Sequence, residues 1–281
     1  ARKRLREIAA ELDVDYVVEG SVHRDAGRLQ VVAQLIDGRS EWHAWARTYT
    51  RDLRDLLTLL NEIAGSVAEA VSARLVPAEA ERLARRIDIG EEALLRYLTG
   101  RHFWALRSPD SLRKAGDEFA ACVRLAPDFA PAYGGLADCQ IVLAMYGIER
   151  PLEAAALARE HHARAFALDP SAAEVQTAQG AIALFFDWDV DAARKSFVQA
   201  LASNPSYTTT HLAYGDLLMM LGEFDRGLDL VREAVRLDPF DLGLAMNLGD
   251  FLIFARRFGE AVRQLERTVA IKVLHEAYSE E

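Results

Sequence analysis

Residues 189–205 read DVDAARKSFVQALASNP, and residues 223–239 read EFDRGLDLVREAVRLDP. Laid over one another, they place a small residue at Ala193 and Gly227 and a large apolar one at Phe197 and Val231. A second small residue follows at Ala200 and Ala234, and a proline at Pro205 and Pro239. The same set recurs outward from this pair. The first small residues Ala115, Ala158, Ala193, Gly227 and Ala261 lie 43, 35, 34 and 34 apart. The second are Cys122, Ala165, Ala200, Ala234 and Thr268, and the prolines are Pro127, Pro170, Pro205 and Pro239. Small residues sit where two helices cross closely, and large ones where a hairpin meets the next. The pattern therefore predicts a mainly α chain, an α-solenoid of about five helical hairpins over residues 93–281. Such a stack makes a binding surface, not by default an active site.

This period and content resemble the tetratricopeptide repeat. The first helix of each hairpin supplies its close contact at Gly100, Ala137, Gly180, Gly215 and Gly249, and the second helices carry Phe119, His162, Phe197, Val231 and Leu265. The boundaries have local causes. Asp169 and Asp238 precede prolines, which push them out of the helical region. Ser108-Pro109 reads as an N-cap with proline at the first helical position. Ser171 with Glu174 reads as a capping box. The one long spacing falls near Tyr146–Pro151, a lengthened turn within one hairpin, where insertion costs little.

Composition bounds the rest. A chain of 281 residues with 51% apolar and 27% charged residues is long enough for two domains of ordinary globular make-up. A net charge of −10 argues against a nucleic-acid role for this segment. The basic cluster Arg2, Lys3, Arg4 and Arg6 reads as a patch for an anionic surface or, preferably, as the solvated face of a helix. Two cysteines, Cys122 and Cys139, exclude a disulfide framework and a cysteine-rich zinc site. No apolar run is long enough for a membrane span, and no signal peptide is present. A cytoplasmic location is expected, with the periplasm as the alternative. The chain reads as an excerpt of a longer protein.

Residues 1–76 follow a different period. A helix over residues 3–12 gives way to strands at Asp15–His23, Arg28–Asp37 and Trp42–Tyr49, the last with Trp45, Arg47 and Tyr49 on one face. Gly27 closes the first turn and Gly38-Arg39-Ser40 the second. Leu53–Leu75 reads as a helix with a stripe of Leu56, Leu60, Ile63, Val67 and Val71, ended by Pro77. Residues 77–92 read as a helical linker. The blocks Glu7-Ile8-Ala9, residues 14–22, Val32–Asp37, Trp45–Tyr49 and Arg51-Asp52-Leu53 resemble, in order, the TolB-like N-terminal domain of bacterial signalling proteins, in partial form. That domain followed by such repeats is similar to the C-terminal half of regulators carrying a class III adenylate or guanylate cyclase or a winged-helix DNA-binding domain. The resemblance implies a non-catalytic protein-interaction and regulatory region of a larger signalling protein. The alternatives are a stand-alone envelope scaffold and, last, a cryptic enzyme.

Known catalytic patterns find no match. Asp187, Asp189 and Asp191 have the spacing of a calcium loop, but Ala192 and Val198 stand where glycine and glutamate are needed, so helix capping is preferred. His161 and His162 point about 100° apart on a helix and share no metal site. Gly134-Gly135 lacks the surroundings of a phosphate loop. No cofactor or metal is implied. The remaining candidate is the groove lined by first helices, where Arg101, Asp138, Ala181, Asp216 and Asp250 are equivalent, with Thr177, Leu212, Met246 and Asn247 beside them. These predict an acidic stripe with apolar pockets for a protein or peptide ligand carrying basic or amide groups. Self-association is left open.

Overall fold

The computed structural model describes residues 5–12, 14–25, 28–52, 55–71, 89–239 and 241–279. Two units divide at residue 91. Arg2, Lys3 and Arg4, the turn at Gly27, Pro77 and most of the expected linker (77–88) lie outside the described residues.

The first unit runs α1 (Leu5–Leu12), β1 (Tyr16–Asp25), β2 (Arg28–Asp37), β3 (His43–Asp52) and α2 (Leu56–Ala70). The strands form an antiparallel meander in the order β1-β2-β3, with Val18 opposite Leu35 and Val31 opposite Tyr49. The second turn is held by Asp37, whose carboxylate accepts from the Arg39 and Ser40 amides and the Ser40 hydroxyl. Leu29, Val31 and Tyr49 form the core with Leu59, flanked by Trp45, Leu56 and Ile63. Here the expected helix stripe needs correction. Leu60 is exposed and Leu59 is buried. Leu56, Leu59 and Ile63 share one helix face at the i, i+3, i+7 spacing, and Leu60 is turned about 100° from Leu59. Arg47 is exposed and takes no part in the core.

The second unit is five helical hairpins: α3 (Glu91–Ala105) with α4 (Pro109–Leu125), α5 (Ala130–Met145) with α6 (Pro151–Leu168), α7 (Ala173–Ile182) with α8 (Val190–Ser203), α9 (Thr208–Met220) with α10 (Phe224–Leu237), and α11 (Leu242–Phe254) with α12 (Phe258–Ser279). All ten repeated small positions are buried. Their partners explain why they are small. A Cβ on Gly180 would stand 2.5 Å from the Phe197 ring, and one on Gly249 2.5 Å from Leu265. Both cysteines are buried and free.

The turns follow local chemistry. Ser108 caps α4, accepting from the Ser111 amide while Ser111 Oγ accepts from the Ser108 amide. Ser108→Ala is expected to cost about 1 kcal/mol in urea unfolding. Ser171, expected to cap α7, does not. Ala172 is the N-cap, and the Ser171 amide and hydroxyl instead donate to Asp169, which steadies the turn after Pro170. The lengthened turn, residues 146–150, is where the spacing places it, and Arg113 reaches Glu149 across it at 3.5 Å. At Asp187-Trp188-Asp189, α7 ends in one π turn (Ala183–Asp187) and Trp188 adopts φ 56°. Asp189 caps α8 through the Ala192 amide, Asp187 pairs with Arg159, and Asp191 is exposed. Three aspartates at calcium-loop spacing thus have three separate roles.

Candidate functional site

The first helices lie side by side, α5 against α7, α7 against α9 and α9 against α11. Together they line an open cavity of about 120 Å³. Every residue of its wall belongs to a first helix or to the turn that follows one. Apolar side chains such as Ile141, Val142 and Leu212 form one part. The polar part consists of Trp104, Arg107, Asp138, Tyr146, Thr177, Thr209, Asp216 and Asn247.

Of the expected groove residues, Asp138, Thr177, Leu212, Asp216 and Asn247 meet in this wall. Thr177 is committed to structure. Its hydroxyl donates to the Ala173 carbonyl at 2.7 Å, so the 2.6 Å contact with Thr210 has Thr210 as donor, tying α7 to α9. Asn247 donates to the Gly243 carbonyl at 2.7 Å. Arg101 stands beside the cavity, its guanidinium carbon 5.1 Å from the Trp104 ring centroid and 5.9 Å from that of Tyr207. Met246 and Asp250 are exposed and form no part of the wall. The equivalence of Asp138, Asp216 and Asp250 along the repeat therefore does not carry into space.

The electrostatics also differ from a plain acidic stripe. Asp138 is only 6% exposed. Burial pushes its carboxyl up to about 7, against the opposing pull of Arg101 and Arg107. Burial raises Asp216 to about 7 as well, with Arg107 alone opposing. For Arg101, burial works against the charge, but Tyr207, Tyr97 and Asp138 outweigh it and the pKa rises. Arg107 is shifted down, chiefly by burial. Two carboxyls and two guanidiniums thus share one poorly hydrated space.

Sequence reasoning missed Trp104 and Arg107. Arg107 lies in the turn between α3 and α4, outside the repeated positions, with φ 54°. Its guanidinium carbon is 3.5 Å from the Trp104 ring centroid. The turn reaches α11, where a Cβ on Gly243 would meet Arg107 Cγ at 3.5 Å. Nothing in the period signals a contact between the first hairpin and the fifth.

Hairpin architecture, buried small positions and the cavity on the first helices define the class: a tetratricopeptide-type helical-repeat chain, preceded by a small sheet unit. No protein-family profile matches it. Among characterised proteins it is similar to a Rhizobium meliloti protein provisionally named adenylate cyclase 3, 38% identical over 89 residues, 32% of this chain and 15% of that one. It is also similar to the transcriptional regulator HilA of Salmonella typhimurium, 29% identical over 143 residues, 51% of this chain and 26% of that one. The chain thus spans about a quarter or less of these relatives. Solved structures that resemble it include a thermophilic TPR protein of Thermus thermophilus (17% identity, 66% of this chain and 97% of that one, TM-score 0.49) and pilF of Pseudomonas aeruginosa (16%, 64% and 76%, TM-score 0.41). These scores are too low to carry the fold assignment, which the hairpin geometry makes by itself. Among the described residues, no helix is long and apolar enough to cross a membrane.

Proposed function

We propose that this chain is the interaction and regulatory region of a larger bacterial signalling protein, non-catalytic in itself. Its first-helix cavity would receive a ligand group, such as a basic or amide side chain of a peptide, at Asp138 and Asp216. The observation that carries the reading is the cavity, whose wall gathers residues from all five first helices. A pocket with apolar walls and a few convergent polar groups is the usual form of a binding site. The partial relatives named as a cyclase and a transcriptional regulator support the signalling context. The resemblance of the first unit to a TolB-like domain belongs to the same proposal.

The test is selection of peptides from a displayed library against the whole chain, followed by affinity measurement with variants. Asp216→Lys is expected to weaken a selected peptide about tenfold or more, since a buried charge partner is both removed and reversed. Asp250→Lys, outside the cavity, is expected to leave it within about twofold, the small effect typical of an exposed charge. Equal affinity for both variants and the unaltered chain would remove the cavity from the proposal.

A further inference from the structure

Asp216 and Arg107 in the cavity wall have no hydrogen-bond partner among the described residues, and they differ in what they need. The Asp216 carboxyl accepts no hydrogen bond and lies in the field of Arg107. The Arg107 guanidinium is stacked on Trp104, donates no hydrogen bond and forms no ion pair. An acidic and a basic side chain, both partly buried and lining one cavity with apolar walls, point to a ligand that answers both charges. A purely basic ligand would satisfy Asp216 and leave Arg107. A purely acidic one would satisfy Arg107 and face Asp138 and Asp216.

We infer that the cavity binds a free α-amino acid, with its ammonium on Asp216 and Asp138, its carboxylate on Arg107, and its side chain against Ile141, Val142 and Leu212. Only the free amino acid carries both charges one carbon apart. A residue inside a peptide has neither. The volume of about 120 Å³ suits a molecule of that size. The inference rests on the reading of this cavity as the ligand site and narrows what the site takes.

Isothermal titration of the whole chain with each standard L-amino acid tests it. Binding is expected from a subset with small or branched apolar side chains. The α-amide and the N-acetyl derivative of the best ligand, each lacking one charge, should bind about tenfold more weakly or worse. Arg107→Met, which keeps most of the stem and removes the charge, and Asp216→Asn should weaken the amino acid by a similar factor. Asp250→Asn should not. The derivatives act on the unaltered chain, so misfolding of a variant cannot imitate the result. Failure of every amino acid to bind, or equal binding of the acid, amide and acetyl forms, overturns the inference. Selected peptides that still bind through Asp216 would then leave the broader proposal standing.

Discussion

Phe119→Ala is expected to lower the stability of the repeat unit by about 3–5 kcal/mol, the range for removing a buried aromatic ring. Phe119 is fully buried. Its ring lies between Gly100 on α3 and Gly135 on α5, where a Cβ on either glycine would stand 2.7 Å away. Tyr97 flanks it at a centroid distance of 5.9 Å. One side chain thus fills the crossing within the first hairpin and the joint between the first and second. In a repeat protein, stability is the sum of hairpins and nearest-neighbour joints, so loss of the ring weakens two of those contributions together. The converse substitutions, Gly100→Ala and Gly135→Ala, overpack the same space and are expected to cost about 1–3 kcal/mol each. Urea unfolding, with hydrogen exchange on α3 to α5, measures the effect. A loss below about 1 kcal/mol for Phe119→Ala would mean that the ring does not join the hairpins as its position requires.

The second large effect is electrostatic. Breaking the cluster with Arg101→Met is expected to cost about 1–3 kcal/mol above pH 7, where Asp138 is ionised, because that carboxylate is left buried with less opposing charge. The unaltered chain should already show the strain. Asp138 and Asp216 are raised from 3.8 to about 7, mainly by burial. A carboxyl with a raised folded pKa favours the folded state fully below its unfolded pKa, and that advantage is lost as pH rises through the folded value. Stability should therefore fall between about pH 4 and pH 7 and level off above, by a few kcal/mol in all. The exposed carboxylates held by arginine, Glu223 and Glu260 among them, are lowered through hydrogen bonds and act in the opposite sense. Their contribution is lost only as pH falls through their folded pKa, below the ordinary carboxylate range, and so outside this window. Thermal melts across pH 4–8 check the sign. Asp138→Asn and Asp216→Asn should each flatten the profile, and variants that leave it unchanged would contradict the burial of these carboxyls.

Much of the fold was legible because the repeat writes packing into the sequence. An alanine at residue 193 followed by a phenylalanine at residue 197 states both the close crossing and what fills it. Gly180 completes the pair from the other helix, where a Cβ would stand 2.5 Å from that ring. The helix phase of α2 was not legible, because Leu59 and Leu60 are chemically identical neighbours and only the sheet decides between them. The cap at Ser171 failed because Asp169, two residues earlier, holds the serine amide and hydroxyl, and Ala172 becomes the N-cap. The site was half legible. Position within the repeat placed Asp138, Thr177 and Asp216 on the right helices, yet it could not show that Asp250 stays exposed.

By itself, the sequence determined the number of hairpins, the small and large positions that pack them, the place of the lengthened turn and the meander that precedes them. These depend on contacts between residues close in the chain or one repeat apart, and such contacts recur wherever the pattern recurs. Only the tertiary structure decided that Arg107 lies over Trp104 at 3.5 Å, that Arg101 approaches Tyr207, and that Asp138 and Asp216 are drawn into one buried space. Arg101 and Tyr207, like Asp138 and Asp216, come from hairpins that are not neighbours. Such contacts follow from how five nearly equal units curve when stacked, a sum of small rotations that no single repeat records.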